Sequence, residues 1–98
     1  MDSNTYINMN LKVLHAINNK AELQNLYISQ MSCEYILKEI NAIIKETRKH
    51  ITIGSIIHAK RISSLEVIIF IYKHGTPDGY ILSDRLKNAI NNYKENNS

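Results

Sequence analysis

The chain has 98 residues, a formal net charge of +3 and 44% hydrophobic residues, with a pI near 9.0. That length accommodates one domain with one modest core, burying about 60–65% of the unfolded surface, and the apolar content excludes whole-chain disorder. A lone cysteine, Cys33, excludes an internal disulfide framework, and no apolar run approaches the ~18 residues of a membrane span. Residues 1–5 carry neither the basic nor the apolar region of a signal peptide. A small cytoplasmic globular protein is the class that remains. Isoleucine and asparagine are the commonest residues, and β-branched isoleucine makes the helices depend on packing more than on propensity.

Ile7, Leu11, Leu14, Ile17 and Ala21 form one stripe at helical spacing, with Asn8, Asn10, Lys12 and Asn18 off it. This predicts a first helix over residues 5–18, stopped by Asn18-Asn19-Lys20. A second helix is predicted over 21–49, with a break near 29–32 left open. Its stripe is the clearest in the chain: Cys33, Ile36, Leu37, Ile40, Ile43 and Ile44 oppose Glu34, Lys38, Glu39, Asn41, Lys45, Glu46 and Arg48. Arg48, Lys49 and His50 suit the negative end of its dipole.

Residues 51–57 read equally as strand or helix, with Gly54-Ser55 as a break. Ser63 and Glu66 then fit a capping box, and Lys73-His74-Gly75 fits a helix stop. Together they favour a helix over 64–74, within a third helical segment of about 55–74, against a buried strand made of the same apolar run. Being apolar nearly all round, this helix is expected to sit deepest. Thr76-Pro77-Asp78-Gly79 reads as a turn. Leu82, Leu86, Ala89, Ile90 and Tyr93 predict a last helix over 82–94, started by Ser83 or Asp84. Four helices with short connections imply an all-α single domain, an antiparallel four-helix bundle over 1–98.

Little in the chain carries chemistry. His15, His50, His58 and His74 stand in no ligand spacing with one another or with Cys33. Cys33 lies on an apolar stripe and reads as a small core residue. The glycines at 54, 75 and 79 make no phosphate loop, and Glu66, Asp78 and Asp84 occupy turn or helix-start positions. The expectation is a non-enzymatic protein with no cofactor and no metal. Tyr27, Tyr35, Tyr72, Tyr80 and Tyr93 are expected at the core boundary with hydroxyls reaching water, or else on a protein-binding surface. Lys45, Arg48, Lys49, Lys60 and Arg61 oppose a single acid, Glu46, and would gather at one end of the bundle. Such a patch suits a solvated face, anionic lipid headgroups, nucleic-acid phosphates or an acidic protein surface.

Residues 63–93 combine an apolar helix ending Tyr72-Lys73-His74-Gly75, a short loop, and Tyr80-Ile81-Leu82-Ser83-Asp84 leading into Leu86, Ala89 and Ile90. In this layout the chain resembles the immunity proteins that accompany pediocin-like (class IIa) bacteriocins. The resemblance implies a basic, cytoplasmic four-helix bundle, monomeric and peripheral to the membrane. It would protect the producing cell by engaging the bacteriocin–receptor complex, a sugar transporter, from the cytoplasmic side. The last helix would then supply partner contacts through Lys87, Asn91, Tyr93 and Lys94. The alternatives are a helix-turn-helix-like DNA-binding regulator, reading bases with Arg85, Lys87, Asn88, Asn91 and Asn92, and a helical adaptor or chaperone.

Overall fold

Five short polar side chains set where the helices begin. Asn19, Ser32, Thr52, Ser63 and Ser83 each hold an extended N-cap conformation and accept a hydrogen bond from the amide three residues on. Such a cap satisfies one of the four unpaired amides of a first turn. The computed structural model of the chain describes residues 11–97. There the caps open α1 (Lys20–Tyr27), α2 (Cys33–Thr47), α3 (Ile53–His58), α4 (Ser64–His74) and α5 (Asp84–Asn96). Two short strands, β1 (Lys12–Leu14) and β2 (Tyr80–Leu82), complete the described elements. The chain is mainly α.

The expected four helices differ from this set in definite ways. Residues 5–10 of the first predicted helix lie outside the described residues. Its remainder is extended: β1 pairs in parallel with β2, with Lys12 beside Tyr80, Val13 beside Ile81 and Leu14 beside Leu82. Of the predicted stripe, Leu14 and Ile17 reach the core, Leu11 is half-buried and Ala21 is exposed, so the stripe matches the burial in part while the backbone of residues 11–18 is not helical. Pairing with β2 overrides a weak helix propensity.

The predicted helix over 21–49 divides at residues 28–32, where the Gln30 and Met31 amides both donate to Tyr27 O and Ser32 restarts the chain as a cap. The segment 55–74 divides too. Thr52 caps α3, so Gly54-Ser55 lies inside a short helix, and residues 59–63 run extended to the Ser63 cap. The last helix starts after β2 and runs two residues further than expected.

Packing follows the stripes. Ile36, Ile40, Ile43 and Ile44 of α2 are buried against Leu23 and Tyr27 of α1 and Val67, Phe70 and Ile71 of α4. Tyr27 and Phe70 meet edge to face with centroids 5.0 Å apart, a favoured aromatic geometry. α4 packs between α2 and α5, but Leu65 and Tyr72 face out, so it is central without being enclosed. Its capping box is complete, and it stops at Gly75, whose φ of 84° suits glycine.

Candidate functional site

The polar side chains withdrawn from solvent gather where α2 ends and α4 begins. Glu66, the third residue of α4, is 1% exposed on a helix otherwise apolar from Leu65 to Tyr72. Arg48, at the C-cap of α2, embraces it with two parallel hydrogen bonds, Nε to Oε2 at 2.9 Å and Nη2 to Oε1 at 2.7 Å. This fork-to-fork geometry is the strong form of an arginine–carboxylate pair. Thr47 Oγ1 also donates to Oε2, and the Ser63 amide donates to Oε1 at 2.8 Å. Burial pushes the Glu66 carboxyl up, yet these donors outweigh it and hold the group down at about 2. The hydrogen bond to Glu66 in turn raises the Arg48 guanidinium.

Lys20 is buried beside this pair. Its Nζ donates to Ile56 O at 2.7 Å and pins the middle of α3 to the start of α1. Burial lowers its ammonium, Arg48 lowers it further, and Glu66 partly restores it. Around the same region the backbone is stitched by Lys20 N to Lys60 O at 2.9 Å and Ile62 N to Asn18 O at 3.1 Å. Arg48 Nη2 completes the arrangement by donating to Arg61 O at 3.1 Å.

The basic residues marked in the sequence therefore take two roles. Arg48 is committed to Glu66. Lys45, Lys49, Lys60 and Arg61 are exposed. Lys60 and Arg61 line a groove of about 640 Å³ together with Lys20, Gln24, Ile57 and His58. The sequence marks Glu66 only as a helix-start residue. An acid inside an apolar helix signals that a cation will meet it. Lys20 carried no such signal.

On α5, Lys87, Asn91 and Lys94 are exposed and share one flank at spacings of four and three. Tyr93 is half-buried instead, its ring 5.5 Å from that of Tyr72. The proposed base readers Arg85, Asn88 and Asn92 are exposed as well. A second cleft, of about 300 Å³, lies between the β1–α1 connection and α5, lined by His15, Ile17, Ser64, Arg85 and Leu86 among others.

Two assignments need correction. Cys33 is exposed, because it is the first residue of α2 and its turn extends beyond the core. Tyr27 is fully buried, and its hydroxyl donates to Gly75 O rather than reaching water. Of the histidines, His15, His50 and His58 are exposed, while His74 is half-buried with Nε2 3.0 Å from Glu39 Oε1. Among the described residues no three His, Cys, Asp or Glu side chains are placed to hold a metal ion. No helix among them is long and apolar enough to cross a membrane. Compared with known proteins, the chain matches no family model, no curated protein and no solved structure at a significant level.

Proposed function

We propose that this chain is a non-enzymatic binding protein. In its most concrete form it is an immunity protein of the class IIa bacteriocin kind, engaging a receptor–bacteriocin complex from the cytoplasmic side. The supporting observation is the exposed flank of α5. Lys87, Asn91 and Lys94 stand in one row clear of the core, while Leu86, Ala89, Ile90 and Tyr93 hold the helix down. A rigid helix with one face anchored and the adjacent face polar is suited to reading another protein surface. The nine residues between α4 and α5 contain β2, a connection unlike the tight turn of a helix-turn-helix. That favours a protein partner over DNA.

The test is protection. A bacteriocin-sensitive host making the chain is exposed to class IIa bacteriocins, beside a host making the triple variant Lys87→Glu, Asn91→Glu, Lys94→Glu. Protection by the wild type and its loss in a triple variant with unchanged thermal melting are expected. Full protection by the triple variant, or no protection by the wild type against any of them, overturns the reading. Salt-sensitive binding of duplex DNA by the wild type would replace it with a regulator.

A further inference from the structure

The segment between α2 and α4 combines an apolar projection with a one-signed charge rim. Residues 47–65 contain no Asp or Glu. Lys49, Lys60 and Arg61 in that stretch are exposed, and Arg48 is neutralised by Glu66. Between these cations sits α3. Its Ile53 and Ile57, one turn apart, are 70% and 60% exposed, the highest values among the large apolar side chains described. Ile51, just ahead of the helix, is also exposed, while Ile56 on the opposite side is buried in the core.

The projection is held rigid. Thr52 caps α3, Lys20 Nζ grips Ile56 O, and the Arg48–Glu66 pair closes the two flanking helix ends around it. Ile57 shares a groove with Lys60 and Arg61, so apolar and cationic groups are contiguous. The acids that flank this stretch are Glu46, exposed on the last turn of α2, and Glu66, paired with Arg48; Glu22 of α1 accepts at 3.1 Å from the Nδ2 of Asn19, which lines the same groove.

We propose that α3 and its rim dock on an anionic lipid bilayer, with Ile53 and Ile57 entering the headgroup–acyl boundary and Lys49, Lys60 and Arg61 meeting lipid phosphates. Interfacial helices use this division, apolar residues in the boundary and Lys/Arg in the headgroups. Charge complementarity selects an anionic surface. The isoleucines select lipid over nucleic acid, because a phosphate backbone accounts for the cations and leaves both isoleucines in water. This inference does not rest on the immunity reading, and its test uses no bacteriocin, so either can fail alone.

The chain lacks tryptophan, so Ile57→Trp installs a single reporter. The purified variant of this chain is mixed with phosphatidylcholine vesicles and with vesicles containing about one-third phosphatidylglycerol. A blue-shifted emission with the anionic vesicles alone, reversed by salt, is expected. Co-sedimentation of the wild type should fall at least twenty-fold in the variant Lys60→Glu, Arg61→Glu, since each cation near the surface is worth about a five-fold factor. It should also fall in Ile53→Ser, Ile57→Ser with melting unchanged. No emission shift, or anionic-vesicle binding that ignores the isoleucine substitutions, overturns the proposal. Binding to duplex DNA in place of vesicles transfers the surface to nucleic acid and overturns it equally.

Discussion

Arg48 and Glu66, eighteen positions apart, join the end of α2 to the first turn of α4 through a bidentate ion pair. The pair is unequal in burial, with side chains 31% and 1% exposed. Its two halves therefore should not cost the same to remove. Without Arg48, the Glu66 carboxylate stays buried with only the Thr47 hydroxyl and the Ser63 amide as donors. Without the Glu66 charge, Arg48 can turn to water. Arg48→Met is expected to lose about 3–5 kcal/mol and Glu66→Gln about 1–3 kcal/mol. Urea denaturation of both variants checks the order. A larger loss for Glu66→Gln would contradict the placement of the carboxylate.

The same carboxyl governs acid stability. Its folded value of about 2 lies below the ordinary 4.5, so the folded state binds this proton less tightly than the unfolded chain. The resulting stabilisation is complete above about 4.5 and is lost as pH falls from there towards about 2. The shift corresponds to roughly 3 kcal/mol. Denaturation midpoints should fall across that window in the wild type and stay flatter in Glu66→Gln. An equal decline in both would assign the acid sensitivity to other groups.

Much of the helical framework could be read from the chain because its signals are local. The Ser63–Glu66 box and Gly75 bound α4 within eleven residues, Ser83 starts α5, and the α2 stripe is contained in one segment. What escaped depends on distant partners. Lys12 meets Tyr80, and Lys20 meets Ile56, thirty-six positions away. Apolar residues at 11, 14 and 17 fit a helix stripe whether or not β2 supplies backbone partners. The α5 flank at Lys87, Asn91 and Lys94 was legible from periodicity, whereas the outward aim of Ile53 and Ile57 was not, since the residues around them fit strand and helix equally.

Tyr27 ties α1 to the stop of α4, forty-eight residues away, by its hydroxyl bond to Gly75 O. Burial pushes this phenol well above its ordinary value. The folded state therefore disfavours its ionisation, and the stability it provides is lost as pH rises above the unfolded value near 10. In a tyrosinate absorbance titration, Tyr27→Phe should delete the last step, the one that coincides with alkaline unfolding. Gly75 is exposed and its carbonyl can turn to water, so the neutral-pH cost of the substitution is only about 0.5–1.5 kcal/mol. A titration with the same late step in the variant would place another tyrosine in the core.

Neighbouring residues on α2 should respond in opposite directions. Ile40 is fully buried in the centre of the apolar cluster. Ile40→Ala should lose about 2–5 kcal/mol through transfer and cavity terms, and Ile40→Asp should abolish cooperative melting by burying an unpaired charge. Asn41, one position on, has a buried Oδ1 with no hydrogen-bond partner among the described residues. No described residue compensates its desolvation, and asparagine is a poorer helix former than leucine. Asn41→Leu is close in size, removes the unpaired carbonyl and should raise stability by about 1–2 kcal/mol. Thermal melts of the two alanine and leucine variants decide the matter. A destabilised Asn41→Leu would mean that the amide makes a bond worth more than its burial costs.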